Sequence, residues 1–168
     1  MKQKTLKKSA CFISTLLNIG CIIFGILSVL LLLGIIGIVF TQLFSPEMFR
    51  EAWATAVQAG QSLSFGQCVF FFFCCLGEFI CIFLALYNAK RIFGCIGKGN
   101  SPFTAKTAIQ IRKIAMYVLI FAVFSVLSVF KMAFSSFFMC GLFALILFCI
   151  SLIFDYGCEL QQEVDEMI

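Results

Sequence analysis

The chain of 168 residues contains no histidine, only two prolines and few charges, since Asp, Glu, Lys and Arg make up 12% of it. A soluble domain normally carries about 25% charged and about 45–50% apolar residues, whereas 62% of this chain is hydrophobic. The composition excludes an ordinary water-soluble protein, and few charges with many aromatic residues also exclude a disordered one. Without histidine, the chain lacks the side chain that most often serves as a catalytic base.

Long apolar runs predict four transmembrane helices. Crossing a hydrocarbon core of about 30 Å takes about 20 apolar residues, and the run over 114–154 is long enough for two crossings, with a turn near Lys131 and the pair Ser135 and Ser136. The sequence predicts an all-α membrane protein with one four-helix domain over 1–168. The expected helices span about 11–40, 66–89, 112–131 and 136–155, followed by an acidic tail over 156–168.

A signal peptide is the alternative interpretation of the first apolar run, because lysines precede it. The apolar region of a signal peptide is only about 7–15 residues long, and the run over 9–40 is much longer. We therefore expect it to be retained as a transmembrane helix.

Lysine and arginine are concentrated in the amino-terminal tail and in the loop between the second and third predicted helices. Short loops rich in these residues stay in the cytoplasm, so we expect a multi-pass protein of the cell membrane with both termini in the cytoplasm. The basic residues lie where this topology alone would put them. The net charge of +4 therefore does not indicate nucleic-acid binding.

The first extracytoplasmic loop has the pattern of a short amphipathic helix. Ser45 and Pro46 are a suitable N-cap and first helical residue, and apolar residues then recur at helical spacing up to Gly60. Trp53, the only tryptophan, is of the type that anchors at the boundary of the lipid headgroups. We expect this helix to lie flat on the membrane surface, the alternative being a docking site for an extracytoplasmic partner.

Glu78 is an acidic residue near the midpoint of the second predicted span, where an ionised carboxyl costs about 2.5–3.5 kcal/mol. It should therefore face other helices, either protonated or hydrogen-bonded to polar neighbours. Counting residues along the spans places Ser28 nearest to its depth, with Ser125 one turn away. Two interpretations stay open: a proton or cation site, and a neutral carboxyl that holds the helices together, which the isolation of this acid favours.

Small residues repeat every four positions beside Glu78, at Gly77, Cys81, Ala85 and Ala89. Such a ridge lets helix backbones approach closely in lipid, either within one chain or in a homo-oligomer. The ten cysteines include no CxxC pair, and a thiol in apolar surroundings behaves as a small hydrophobic group. We therefore expect neither a metal site nor a cofactor.

The central loop and the last helix carry the motifs by which the chain resembles the bacterial integral-membrane proteins grouped as domain of unknown function 2975. The matching residues of the loop and of the helix after it are Gly99, Ser101, Pro102, Phe103, Arg112 and Lys113. The tail is similar in its G-x-x-L-x-x-E pattern, here Gly157, Leu160 and Glu163. The resemblance implies a bacterial protein with four helices and a helix-turn-helix regulator as a cytoplasmic partner.

The leading hypothesis is a non-enzymatic membrane protein that relays a signal to a cytoplasmic partner through the central loop and the acidic tail. The alternative is a small transporter or channel subunit built around Glu78 in an oligomer. An enzyme is the third interpretation, because catalysis needs a nucleophile and a base, or a metal site, within reach of each other. The sequence shows no such set.

Overall fold

The computed structural model describes residues 2–58, 64–99, 104–128 and 133–166, and the regular structure in these ranges is helical throughout. The helices are α1 (Lys2–Phe44), α2 (Pro46–Gln58), α3 (Phe65–Gly97), α4 (Ala105–Ser128) and α5 (Ala133–Glu166). All except α2 are long and apolar enough to cross a membrane. The prediction of an all-helical protein with four membrane-length helices is confirmed.

The long helices extend past their predicted bounds, because those bounds followed the hydrophobic runs and a helix can continue into water. α1 begins at Lys2 instead of near residue 11, and α4 begins at Ala105 instead of at residue 112. The side-chain oxygen of Thr104 accepts a hydrogen bond from the backbone N–H of Thr107 over 3.2 Å. Thr104 thus caps α4, and the same amide also donates to the carbonyl oxygen of Thr104 over 2.8 Å.

α3 ends at residue 97 instead of 89, after passing through Gly94 and Gly97. Both glycines face α1: an added Cβ would lie 3.6 Å from the Ser14 hydroxyl at Gly94, and 3.6 Å from the backbone nitrogen of Cys11 at Gly97. Both glycines therefore allow close packing of the two helices, and Gly94 lies inside α3 without breaking it. The chain turns at Gly99, whose φ of 90° is in the left-handed region that favours glycine.

The turn between α4 and α5 lies earlier in the chain than predicted. α4 ends at Ser128 and α5 begins at Ala133, so Ser135 and Ser136 belong to α5. Serine is common inside transmembrane helices, and the pair is therefore no turn signal. Lys131, the other predicted marker of the turn, lies outside the described residues.

The long helices pack in the order α1, α3, α4, α5, and α2 packs on α1. α1 and α3 are antiparallel, since Cys11 lies beside Gly97 while Gly25 lies beside Phe83. Within the described ranges, no Cα atom of α1 comes within 8 Å of α4 or α5, and none of α3 comes within 8 Å of α5. α3 and α4 thus each pack against two long helices, whereas α1 and α5 each pack against one long helix.

Small residues make the contacts between the helices. In the described part of the chain, the buried apolar residues are alanines and cysteines, with Ile111 as the exception. Large apolar side chains point outward: Leu33 and Ile36 of α1 are 57% and 54% exposed. Helices in lipid show this distribution, because small residues let backbones approach and lipid accommodates large apolar side chains.

Candidate functional site

α3 has one face on α1 and another on α4, and these faces decide where Glu78 points. Phe79 packs edge-on against Phe24 of α1, with ring centroids 5.9 Å apart. On the other side, a Cβ added at Gly77 would lie 2.8 Å from the ring of Phe124 in α4. Successive helical residues are rotated by about 100°, so residues 77 and 79 point in nearly opposite directions. Glu78 lies between them in sequence and turns toward α4.

The carboxyl of Glu78 accepts two hydrogen bonds from α4. Ser125 Oγ donates to Glu78 Oε1 over 3.1 Å, and Ser128 Oγ donates to the same oxygen over 2.8 Å. The two serines are three positions apart and therefore lie on the same side of α4. Ser28 instead donates to the carbonyl oxygen of Phe24 in its own helix over 2.7 Å. Of the two predicted neighbours, the structure brings Ser125 to Glu78 and leaves Ser28 on α1.

Ser28 lies near the depth expected from counting residues, but its hydroxyl bonds within its own helix. Ser28 follows Phe24 by one turn, and Phe24 contacts Phe79, so Ser28 lies within about one turn of the level of Glu78. Counting residues gives the height along a helix but not the side of the helix on which a residue lies. Ser128 is the partner that the sequence interpretation did not assign, although its spacing from Ser125 was the available signal.

The hydroxyl of Ser128 has three oxygen acceptors within hydrogen-bonding distance but only one hydrogen to donate. Besides Glu78 Oε1, its Oγ lies 2.9 Å from the carbonyl oxygen of Phe124 and 3.3 Å from that of Ser125. A hydroxyl has one hydrogen, so one of the three oxygens receives it at a time. The cluster therefore holds an excess of oxygen acceptors over hydroxyl hydrogens.

The ridge of small residues beside Glu78 faces α4 within this chain. Gly77 gives the closest approach, to the ring of Phe124. Cys81 and Ala85, farther along α3, line an apolar pocket of about 230 Å³ together with aromatic residues of α4. Ala89, the last residue of the ridge, is half-buried. The contact between α3 and α4 is thus tight at the level of Glu78 and looser farther along α3, at Cys81 and Ala85.

Polar residues connect the helices at the end of α4 that is remote from Glu78. Lys90 Nζ donates to Asn18 Oδ1 over 2.7 Å, joining α3 to α1. Arg112 of α4 forms an ion pair with Asp155 of α5 at 3.0 Å, and its guanidinium lies 5.5 Å from the centroid of the Phe148 ring. We call the end of the row marked by Asn18, Lys90, Arg112 and Asp155 the basic end.

The other residues of the family-like motif form no cluster in the described part of the chain. Lys113 is exposed on α4, and Gly99 lies just past α3, where the side chain of Lys7 occupies the space that a Cβ would fill. Pro102 and Phe103 lie outside the described residues. The described part of the motif thus places Gly99 in the turn after α3, and Arg112 and Lys113 about two turns inside α4 instead of at its start.

Aromatic residues hold α2 against the neighbouring helix ends. The ring of Phe65, the first residue of α3, lies 4.8 Å from Phe49 and 5.8 Å from Trp53, measured between centroids, in edge-on arrangements. Trp53 also lines a pocket of about 300 Å³ with Ile38 and Thr41 of α1. Edge-on aromatic pairs add about 0.5–1.5 kcal/mol beyond the area they bury. Trp53 thus fixes α2 at the end of the row remote from the basic end.

Metal-binding groups of three or more His, Cys, Asp or Glu side chains do not occur among the described residues. The chain matches no protein-family model, no curated protein and no solved structure.

Proposed function

We propose that the protein is a non-enzymatic, multi-pass protein of the bacterial plasma membrane that relays a signal to a cytoplasmic partner through the carboxyl-terminal part of α5. In this proposal both termini lie in the cytoplasm with the basic end, and α2 lies flat on the opposite membrane surface. The resemblance to domain of unknown function 2975 suggests a helix-turn-helix regulator as the partner.

The observation that carries this proposal is the unbroken course of α5 from Ala133 to Glu166. The ion pair of Asp155 with Arg112 lies at the basic end, and the helix continues from residue 155 to 166. At 1.5 Å per residue, this continuation is about 16 Å long. Glu159 and Glu163 are exposed on it. A helix that continues without a break, here through Gly157, can carry a displacement of its membrane part to its exposed end.

α4 holds α5 near the basic end. Ser151 is fully buried, and its hydroxyl donates to the carbonyl oxygen of Ala108 over 3.2 Å. The side chains of Arg112 and Asp155 are 46% and 38% exposed, so their ion pair contributes only about 0.2–1 kcal/mol. α5 has no other helix as a backbone neighbour in the described ranges. The tail therefore depends on α4 for its position.

Site-specific photocrosslinking in native membranes tests the proposal. A photoreactive residue at position 159 or 163 should capture a soluble protein with a helix-turn-helix domain, identified by mass spectrometry. The matched control is the same photoreactive residue in place of Ile146, which is exposed on the apolar part of α5 and should capture no soluble protein. Identical products from the tail and from position 146 would contradict the proposal.

A small transporter or channel subunit is the second candidate, because the carboxyl of Glu78 is hydrogen-bonded between two membrane-length helices. The pocket between the site and the basic end is lined by apolar groups, including Cys81 and Ala85, and offers little to a moving ion. Ion flux in proteoliposomes decides this candidate. Flux that is unchanged by Glu78→Gln, or no flux at all, excludes it.

A further inference from the structure

In the described part of the chain, no ion pair neutralises the oxygen atoms around Glu78. Glu78 Oε1, the hydroxyls of Ser125 and Ser128, and the carbonyl oxygens of Phe124 and Ser125 lie together, with two hydroxyl hydrogens among them. The ion pair that the structure records in the described part of the chain is at the basic end and does not include Glu78. Lys90 is 12 residues away along α3, about 18 Å.

We propose that Glu78, Ser125 and Ser128 bind a small monovalent metal cation of the size of a sodium ion. Hard cations take carboxylate, hydroxyl and carbonyl oxygens as ligands, and these are the groups present. One carboxylate carries one negative charge, so a monovalent ion leaves the site neutral, as lipid demands. The hydroxyl of Ser128 then donates its hydrogen to the Phe124 carbonyl oxygen, while a lone pair of the hydroxyl oxygen faces the ion. Cation binding at this site does not require that α5 relays a signal.

The first test measures protection of the carboxyl from a hydrophobic carbodiimide, which reacts with protonated carboxyl groups. Purified full-length protein in detergent is treated at one fixed pH in sodium chloride or in choline chloride of equal ionic strength. Modification of Glu78 is followed by peptide mass spectrometry. At a sodium concentration ten times the dissociation constant, the rate should fall about tenfold by mass action. Equal rates in the two salts overturn the proposal.

Variants assign the protection to its ligands. Ser128→Ala keeps the carboxyl but removes one ligand, so half-maximal protection should need about tenfold more sodium, the change that 1.4 kcal/mol produces. The matched control is Ser28→Ala, because Ser28 lies near the same level and bonds within its own helix; it should retain wild-type protection. Equal protection in all three proteins contradicts the assigned ligands.

A Lys131→Gln variant adds a further test to the protection experiment, because Lys131 lies three residues past Ser128 in the sequence. If sodium protects only the Lys131→Gln variant and not the wild type, the lysine is the counter-charge and the proposal is wrong.

A melting experiment covers the case in which the carbodiimide does not reach the site in either salt. Sodium should raise the midpoint temperature of wild type and Ser28→Ala relative to choline, and raise that of Ser128→Ala less, because a ligand that binds only the folded state stabilises it. A thiol-reactive fluorophore reports unfolding through the buried residues Cys74 and Cys81. The absence of a sodium-specific rise in the wild type overturns the proposal.

Discussion

Replacing Gly77 by alanine tests the contact between α3 and α4 at the level of Glu78. The added Cβ would lie 2.8–2.9 Å from three atoms of the Phe124 ring, whereas carbon atoms in contact are about 3.5–4.0 Å apart. Ring or helix must therefore retreat by about 0.6–1.2 Å. Forcing an extra carbon into a packed contact costs about 1–3 kcal/mol. We expect the lower part of this range, because the ring of Phe124 is only partly buried.

Alanine also favours a helix over glycine by about 0.5–1 kcal/mol, so the packing cost needs a matched control. Gly34 of α1 has no atom within 4 Å of the position of an added Cβ, and Gly34→Ala therefore measures the helix preference alone. Unfolding is followed by titration with sodium dodecyl sulfate, with the reactivity of the buried thiols of Cys74 and Cys81 as the signal. The free energy of unfolding of Gly77→Ala should lie about 1–2 kcal/mol below that of Gly34→Ala.

A second substitution separates a clash from a general loss of stability. Phe124→Leu removes ring atoms from the side that Gly77 faces, so the double variant Gly77→Ala with Phe124→Leu should be more stable than the two single costs predict. In the wild-type background Phe124→Leu leaves a void and is destabilising. The reasoning is refuted if Gly77→Ala is as stable as Gly34→Ala, or if the double variant shows additive losses.

Three further predictions concern the basic end and the turn after α3. Ser151→Ala removes the buried bond to Ala108 and should lower the free energy of unfolding in the same titration by about 0.6 kcal/mol, the average for hydrogen bonds between membrane helices. A double-mutant cycle on Arg112 and Asp155 should give a coupling of about 0.2–1 kcal/mol, which added salt reduces; a larger value that salt leaves unchanged would contradict an exposed ion pair. Gly99→Ala places a Cβ on a residue with a φ of 90° and should cost about 1–2 kcal/mol, measured by thermal unfolding.

Hydrophobicity predicts the long helices of this chain but not their ends. The apolar runs account for the four membrane-length helices, because about 20 apolar residues are needed to span a bilayer. α1 and α5 continue into polar sequence, where lysine, glutamate and glutamine are good helix formers. Gly94 and Gly97 carry a breaker signal in sequence, yet both lie where α1 comes close to α3. A glycine that permits packing and a glycine that ends a helix look alike until the neighbour is known.

The site around Glu78 was predictable in part, for a related reason. The cost of an acid in lipid places Glu78 against another helix, and Ser125 is among the neighbours that depth suggests. The choice between α1 and α4 depends on the order in which the helices pack, and that order is not written in the hydrophobic pattern. Because α3 lies between α1 and α4, residues one position apart, Glu78 and Phe79, reach different helices.

α4 is the helix through which the Glu78 site and the exposed part of α5 can influence each other. Its last turn contributes Ser125 and Ser128 to the site, and its first half holds α5 through Ala108 and Arg112. No proline or glycine interrupts its 24 residues, so a displacement at one end of α4 moves the whole helix. α5 has no second helix as a backbone neighbour in the described ranges to oppose that movement. If α4 has two positions, a cation at Glu78 and a partner on α5 must change each other's affinity by the same factor.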